Sequence, residues 1–377
     1  MGVLVSARCC LRTDIRFTGT AMRISMAGAV AFGMTIAIFG GCSEAKPAEA
    51  RQTSHGSTYV TLYDDDTLAY WAKRYEPAIR DNFSRLIVDS LSPSQRIKVR
   101  GLTVQFPLRG DNDPLNYYSE APPPTITLSA MSVKFLDDIA TASAWLDANG
   151  YSTETVEYYA EVLKYRGPQQ FASGRYPSPL KALGVPPNAV RDSDVNHVAL
   201  NILNSAVLFA LAHEVGHLVN GHQPVEDIQQ RQRQEMEADR FAISAFRRIG
   251  LTPAGIVTFF LFTSHFLPHR GDFESDSAWA VYAATRDAHP LSSRRLTALA
   301  TMLQSSPEDF ARSDGNRTGA VQRVRFVAKQ IAGIATLVDD PLMHRHGRLV
   351  GEEIPLSELA PRRKGDTWVP ARFRTRR

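Results

Sequence analysis

Two histidines and a glutamate, spaced His213-Glu214-Val215-Gly216-His217, lie inside an apolar run from Leu211 to Val219. Residues four apart on an α-helix stand one above the other on the same face. This spacing can therefore aim two imidazoles at one metal ion. Glu214, beside the first imidazole, can reach a water held at that ion. Two ligands and a general base on one rigid rod meet the needs of zinc-assisted hydrolysis. The three cysteines are Cys9, Cys10 and Cys42, with none in the remainder of the chain. A zinc ion must then be held by histidine and carboxylate.

The next polar segment supplies a third ligand. Glu235-Met236-Glu237-Ala238-Asp239 places Glu235 and Asp239 four apart on one helical face. If that face meets the HExxH helix, Glu235 completes a His2Glu tetrahedral set. Asp239, one turn on, can accept a hydrogen bond from a ligand histidine. Small Ala238 lets the two helices approach. Glu237 reads as a solvated acid. His222, five after His217, falls on a different helical face and reads as a capping or structural histidine. His197, upstream, reads as structural.

The elements that position these groups follow from caps and periodicity. Asp192-Ser193-Asp194 can cap a helix that runs to about Asn220 and stops at Gly221. Its upstream half (Val198, Ile202, Ala206, Phe209) is apolar enough for a core helix. A second helix is expected from Val225 to Arg248, with Gly250 as its stop. Further helices are expected over Asp66–Asp89, Met131–Ala148, Thr153–Tyr165, Ala254–Phe266, Trp279–Arg286, Leu291–Leu303 and Thr318–Val338. Alternation predicts strands over Ile97–Phe106 and Thr125–Leu128. As a sheet edge, the second strand could pair with an extended substrate. Gly167–Asn188 reads as a surface loop, and Asp339–Arg377, with little periodicity, as an extended or partly disordered tail. The fold class is α+β and mostly helical, with a small sheet beside the HExxH helix.

The chain has 377 residues and a formal charge of +4, without a dense basic patch interleaved with aromatics, so nucleic acid is not an expected partner. Arg23 followed by the apolar run Ala27–Phe39 is short for a membrane span and suits a secretory signal. Gly40-Gly41-Cys42 resembles a bacterial lipobox, in which the cysteine is lipidated and becomes the new N-terminus; Phe39 departs from the usual Leu. A plain signal peptide or an uncleaved anchor is the alternative, and Met22 is a second possible start. Ser43 after the cysteine resembles lipoproteins sent to the outer membrane. The expected organisation is a signal and lipoprotein segment over 1–42, a flexible tether over 43–57, a metallopeptidase domain over 58–310, and a C-terminal helix and basic tail over 311–377.

HExxH, then Glu-x-x-Ala-Asp, then His289-Pro290 followed by Arg295, in this order, resembles the gluzincin peptidases of the HtpX, BepA and CAAX prenyl protease type. The resemblance spans roughly Ala199 to Leu303 and implies a zincin-like metallopeptidase domain. It implies Zn2+ on His213, His217 and Glu235, Glu214 as general base, and Asp239 and Arg295 as supporting residues. His289 matches the family's His-Pro; it can donate to the oxyanion of a tetrahedral intermediate or sit on the zinc as a plug, and the need to restrain an envelope protease favours the plug. Seventeen residues separate His217 from Glu235, fewer than is usual in that family. Phage-exclusion and ImmA-like peptidases carry similar stretches, and an intracellular peptidase of that kind is a second reading. With Cys42 lipidated, the resemblance implies an envelope protease facing the periplasm. Its partners would be unfolded or misassembled envelope proteins and, through the lipid, the membrane. A zinc-stabilised chaperone or assembly factor that rarely cuts is the rival class.

Overall fold

A computed structural model describes residues 59–110, 114–285 and 289–366. Cys42, the signal and tether segments and the last Arg-rich residues lie outside the described residues. The helices are α1 (Asp65–Leu86), α2 (Pro93–Lys98), α3 (Ala130–Ala148), α4 (Glu154–Tyr165), α5 (Pro179–Ala182), α6 (Ser193–Asn220), α7 (Ile228–Ile249), α8 (Ile256–Phe266), α9 (Asp276–Thr285), α10 (Ser293–Ser305), α11 (Arg317–Leu337) and α12 (Pro341–Glu353). The strands are β1 (Thr103–Gln105), β2 (Tyr117–Glu120) and β3 (Thr125–Leu128). The fold is α+β and mostly helical, with one small mixed sheet.

The central helix α6 starts where Asp192 accepts hydrogen bonds from the backbone N–H groups of Asp194 and Val195. It ends at Gly221, whose φ of 68° is left-handed backbone that favours glycine. By length and composition α6 could cross a membrane. Here its apolar face is filled by α3, α7, α8 and the sheet. Phe209, Phe246, Phe259 and Phe260 are fully buried around it, and each such side chain stabilises the fold by about 1.5–3 kcal/mol. A second apolar cluster, built on Phe135, Tyr159 and Phe262, joins α3, α4 and α8.

Gly167–Asn188 is no plain surface loop: it holds α5, and Phe171, Tyr176, Leu183 and Val185 are buried in the second apolar cluster. Three further expectations are corrected. Ile97–Phe106 is not one strand. Ser92 and Gln95 cap each other's backbone N–H groups and start α2, so the β-branched run is split by a helix end and a turn at Gly101 before β1 begins. Second, β3 is the central strand, parallel to β1 and antiparallel to β2, and all four of its residues are buried. It is no sheet edge, and among the described strands β2 is the edge beside the site. Third, Asp339–Arg377 does not read through as an extended tail. Asp340 caps α12, Pro341 begins it, and α12 packs on α4, where Arg166 donates to the carbonyls of Gly351 and Ile354.

Candidate metal centre

α6 and α7 cross closely at the HExxH turn. A Cβ placed on Gly216 would lie 2.9 Å from the Cα of Ala238 and 3.0 Å from the Cβ of Phe241. Glycine and alanine therefore meet where any larger pair would push the helices apart, and this contact brings Glu235 and Asp239 to the two histidines.

The donor atoms then converge. His213 Nε2 and His217 Nε2 are 3.0 Å apart. Glu235 lies 3.3 Å from the first through Oε2 and 3.2 Å from the second through Oε1. Three corners of a tetrahedron around an ion with zinc-like bonds of about 2.0–2.1 Å stand about 3.3–3.4 Å from one another, so this set fits such an ion. A wider group of His213, Glu214, His217 and His289 gathers donor atoms within 4.8 Å of one another. Glu214 is 1 % exposed, and among the described residues its Oε1 is buried without a hydrogen-bond partner. A buried carboxylate oxygen left unpaired is costly in a purely structural role.

Behind the donors lies a buried ionic frame. His213 Nδ1 donates to Asp239 Oδ1 at 2.9 Å, which leaves Nε2 to face the donor set. Arg295, 3 % exposed, holds Asp239 through Nε at 2.5 Å and Nη2 at 2.9 Å, and reaches Glu235 through Nη1 at 2.8 Å. Burial opposes charge on every one of these groups, and their neighbours overrule it. Glu235 is held well below the usual carboxylate range by His289, Arg295 and His213. Asp239 is lowered chiefly by Arg295. Glu235 and Asp239 push the His213 imidazole up to about 10. On His217 burial prevails, and its pKa is lowered.

His289 enters from the segment before α10. Its Nδ1 lies 3.2 Å from both oxygens of Glu235, and its Nε2 is 3.9 Å from Glu214 Oε1. Its ring stacks on Tyr117 of β2, with centroids 5.1 Å apart, and Tyr117 also meets the edge of His213. Burial raises the Tyr117 phenol well above its ordinary value, so it stays neutral. The structure thus brings His213, Glu214, His217, Glu235, Asp239, His289 and Arg295 together. Nothing in the spacing of Tyr117 pointed to it, because β2 is brought to the site by its packing on α6 and its pairing with β3.

Glu237 is a half-exposed acid and His222 closes the end of α6, as expected, and the structure adds a contact between them. His222 Nδ1 is 2.9 Å from His217 Nδ1, and His222 Nε2 is 3.0 Å from Glu237 Oε2. Both touch the site's periphery. The signal was present in the sequence: a glycine stop at Gly221 reverses the chain and returns the next residue over the last helical turn. His197 Nε2 lies 3.0 Å from Asn201 Nδ2, one turn away.

A mostly helical fold with a small mixed sheet and a His/Glu donor cluster on one buried helix defines a candidate metallohydrolase. Over residues 154–252, from α4 to just beyond α7, the chain matches the family model described as Peptidase U49. That stretch contains His213, Glu214, His217, Glu235 and Asp239, and it stops short of His289 and Arg295. The chain is therefore similar to a peptidase family across α6 and α7. The narrower HtpX, BepA and CAAX prenyl protease type rests on the motif order alone. No curated protein and no solved structure matches the chain.

Proposed function

We propose that this chain is a zinc-dependent endopeptidase of the bacterial cell envelope, anchored by a lipid on Cys42 and acting on unfolded or misassembled envelope proteins. The observation that carries the hydrolase reading is the convergence of His213 Nε2, His217 Nε2 and Glu235 to within 3.0–3.3 Å. These three residues would hold the ion. Zinc bound there supplies Lewis acidity, polarising a carbonyl and lowering the pKa of a water to about 7. Glu214 takes the proton of the attacking water and returns it to the leaving amine. Asp239 fixes the His213 tautomer, and Arg295 keeps both acids ionised and in place. The edge strand β2 offers main-chain pairing to an extended substrate, in the place first assigned to β3.

The test has two arms. Protein lacking residues 1–42 is expected to digest unfolded casein, to lose activity to a chelator and to regain it with zinc. One equivalent of bound zinc with negligible cutting would support the assembly-factor reading instead. In cells, a palmitate analogue is expected to label the wild type but not Cys42→Ala, and labelled protein to fractionate with the outer membrane. An unlabelled, cytosolic protein would move the reading to an intracellular peptidase.

For His289 the position of Nε2 on the Glu214 side favours donation to the developing oxyanion. Loss of one such donor costs about 10²–10³ in turnover. His289→Ala is thus expected to cut kcat by that factor with zinc content unchanged. A rise in activity would identify His289 as a plug on the metal instead.

A further inference from the structure

We infer that His222 and Glu237 form a positioning relay that fixes the tautomer and orientation of His217, as Asp239 does for His213. The inference rests on the reading of His217 as a metal ligand.

The relay follows from how α6 ends. Gly221 adopts the left-handed conformation, its N–H donates to the carbonyl of Leu218, and the N–H of His222 donates back to the carbonyl of His217 at 3.1 Å. This paired closure brings the residue just after the glycine over the one five earlier. In many helices that pair is apolar. Here it is His222 over His217, with ring centroids 4.9 Å apart and planes at 76°. The neighbouring chain is tied down on both sides. Lys98 donates to the carbonyl of Val219 at 2.8 Å, and Gln234 of α7 donates to the carbonyl of Gln223 at 3.1 Å.

One proton arrangement serves the relay and leaves His217 Nε2 free to face an ion. An ionised carboxylate only accepts hydrogen bonds, so Glu237 Oε2 takes the Nε2–H of His222. With its proton on Nε2, His222 presents the Nδ1 lone pair, which accepts the Nδ1–H of His217 at 2.9 Å. His217 is left with its lone pair on Nε2, the atom 3.0 Å from His213 Nε2 and 3.2 Å from Glu235. The two candidate imidazole ligands are thus set alike by different devices. His213 is backed by a fully buried acid locked to Arg295. His217 is backed by a histidine whose side chain is 8 % exposed, itself oriented by an acid 52 % exposed. Residues backing a metal-binding imidazole are worth about 10–100-fold in metal affinity, and the solvated end of this relay puts Glu237 at the weak end of that range.

The test measures zinc affinity by competition with a chromophoric chelator at fixed pH, and the ring-nitrogen shifts of His217 in ¹⁵N-histidine-labelled, metal-free protein. His222→Ala is expected to bind zinc about 10–100-fold more weakly and to leave His217 as a mixture of tautomers. In His222→Asn the amide oxygen can take the Nδ1 position, so this variant is expected to recover most of the affinity and the Nδ1–H form of His217. Glu237→Ala, at an exposed position, should fold normally and lose about tenfold or less. Wild-type zinc binding with unchanged affinity and unchanged His217 shifts in His222→Ala would overturn the relay alone. Wild-type protein that binds no zinc would remove the metal reading and the relay together. Equal losses in His222→Ala and His222→Asn, accompanied by a lower Tm, would reduce His222 to a helix stop. Should His222→Ala fail to fold, the His217 shifts and zinc affinity of Glu237→Ala decide.

Discussion

Glu214→Gln is expected to lower casein hydrolysis by about 10²–10⁴-fold, the contribution of a positioned general base, while zinc stays bound. That range corresponds to about 3–5 kcal/mol of barrier. The expectation rests on where the carboxylate stands. Glu214 lies next to His213 on α6, is buried, and keeps Oε1 without a hydrogen-bond partner among the described residues. A structural carboxylate at that depth would be paired. One that must take a proton and hand it on needs an open lone pair. Glutamine keeps the shape and removes the base, and the His213, His217 and Glu235 donors are untouched. Zinc content should therefore match the wild type, and the Tm should hold or rise as a buried charge is removed. Turnover close to wild type with zinc bound would take Glu214 out of the mechanism. Loss of zinc in this variant would make it a ligand instead of a base.

Glu235→Ala is expected to abolish zinc binding and hydrolysis together. Glu235 is 2 % exposed and bridges four groups: His213 and His217 in front, His289 above and Arg295 behind. Without it the ion would have two imidazoles on one helix and no anionic ligand. The affinity loss should then exceed the 10–100-fold typical of a supporting residue. The fold should survive. Breaking a buried ion pair costs about 3–5 kcal/mol when the remaining charge is left uncompensated, but Arg295 keeps two hydrogen bonds to Asp239. Circular dichroism and equilibrium dialysis against zinc separate the outcomes. A folded variant that still holds one equivalent of zinc tightly would remove Glu235 from the ligand set and leave the wider group with His289 as the alternative.

The sequence by itself determined the parts whose physics is local. The spacing of His213 and His217 fixes a shared face on any helix, and Asp192 and Gly221 fix the ends of that helix through side-chain and left-handed caps. Glu235 and Asp239 share a face for the same reason. The apolar upstream half of α6 required burial, and the packing around Phe209 supplies it. Failures came where neighbouring signals competed. The β-branched residues from Ile97 read as a strand until the Ser92–Gln95 cap and the Gly101 turn divided them, and α12 carries Gly347 and Gly351, poor helix formers whose place is explained only by the close approach to Glu161 of α4.

Tertiary structure alone decided which faces meet. Gly216 against Ala238 sets the approach of α6 and α7, and with it the 3.2–3.3 Å contacts of Glu235 with both histidines. Pairing order put β3 at the centre of the sheet and brought Tyr117 on β2 against His289. Arg295 reaches Asp239 and Glu235 from 56 and 60 residues away because α10 packs on α7. Spacing along a chain constrains only groups within a few turns of one another. Contacts between elements depend on which surfaces exclude water together, and that is a property of the whole packed core.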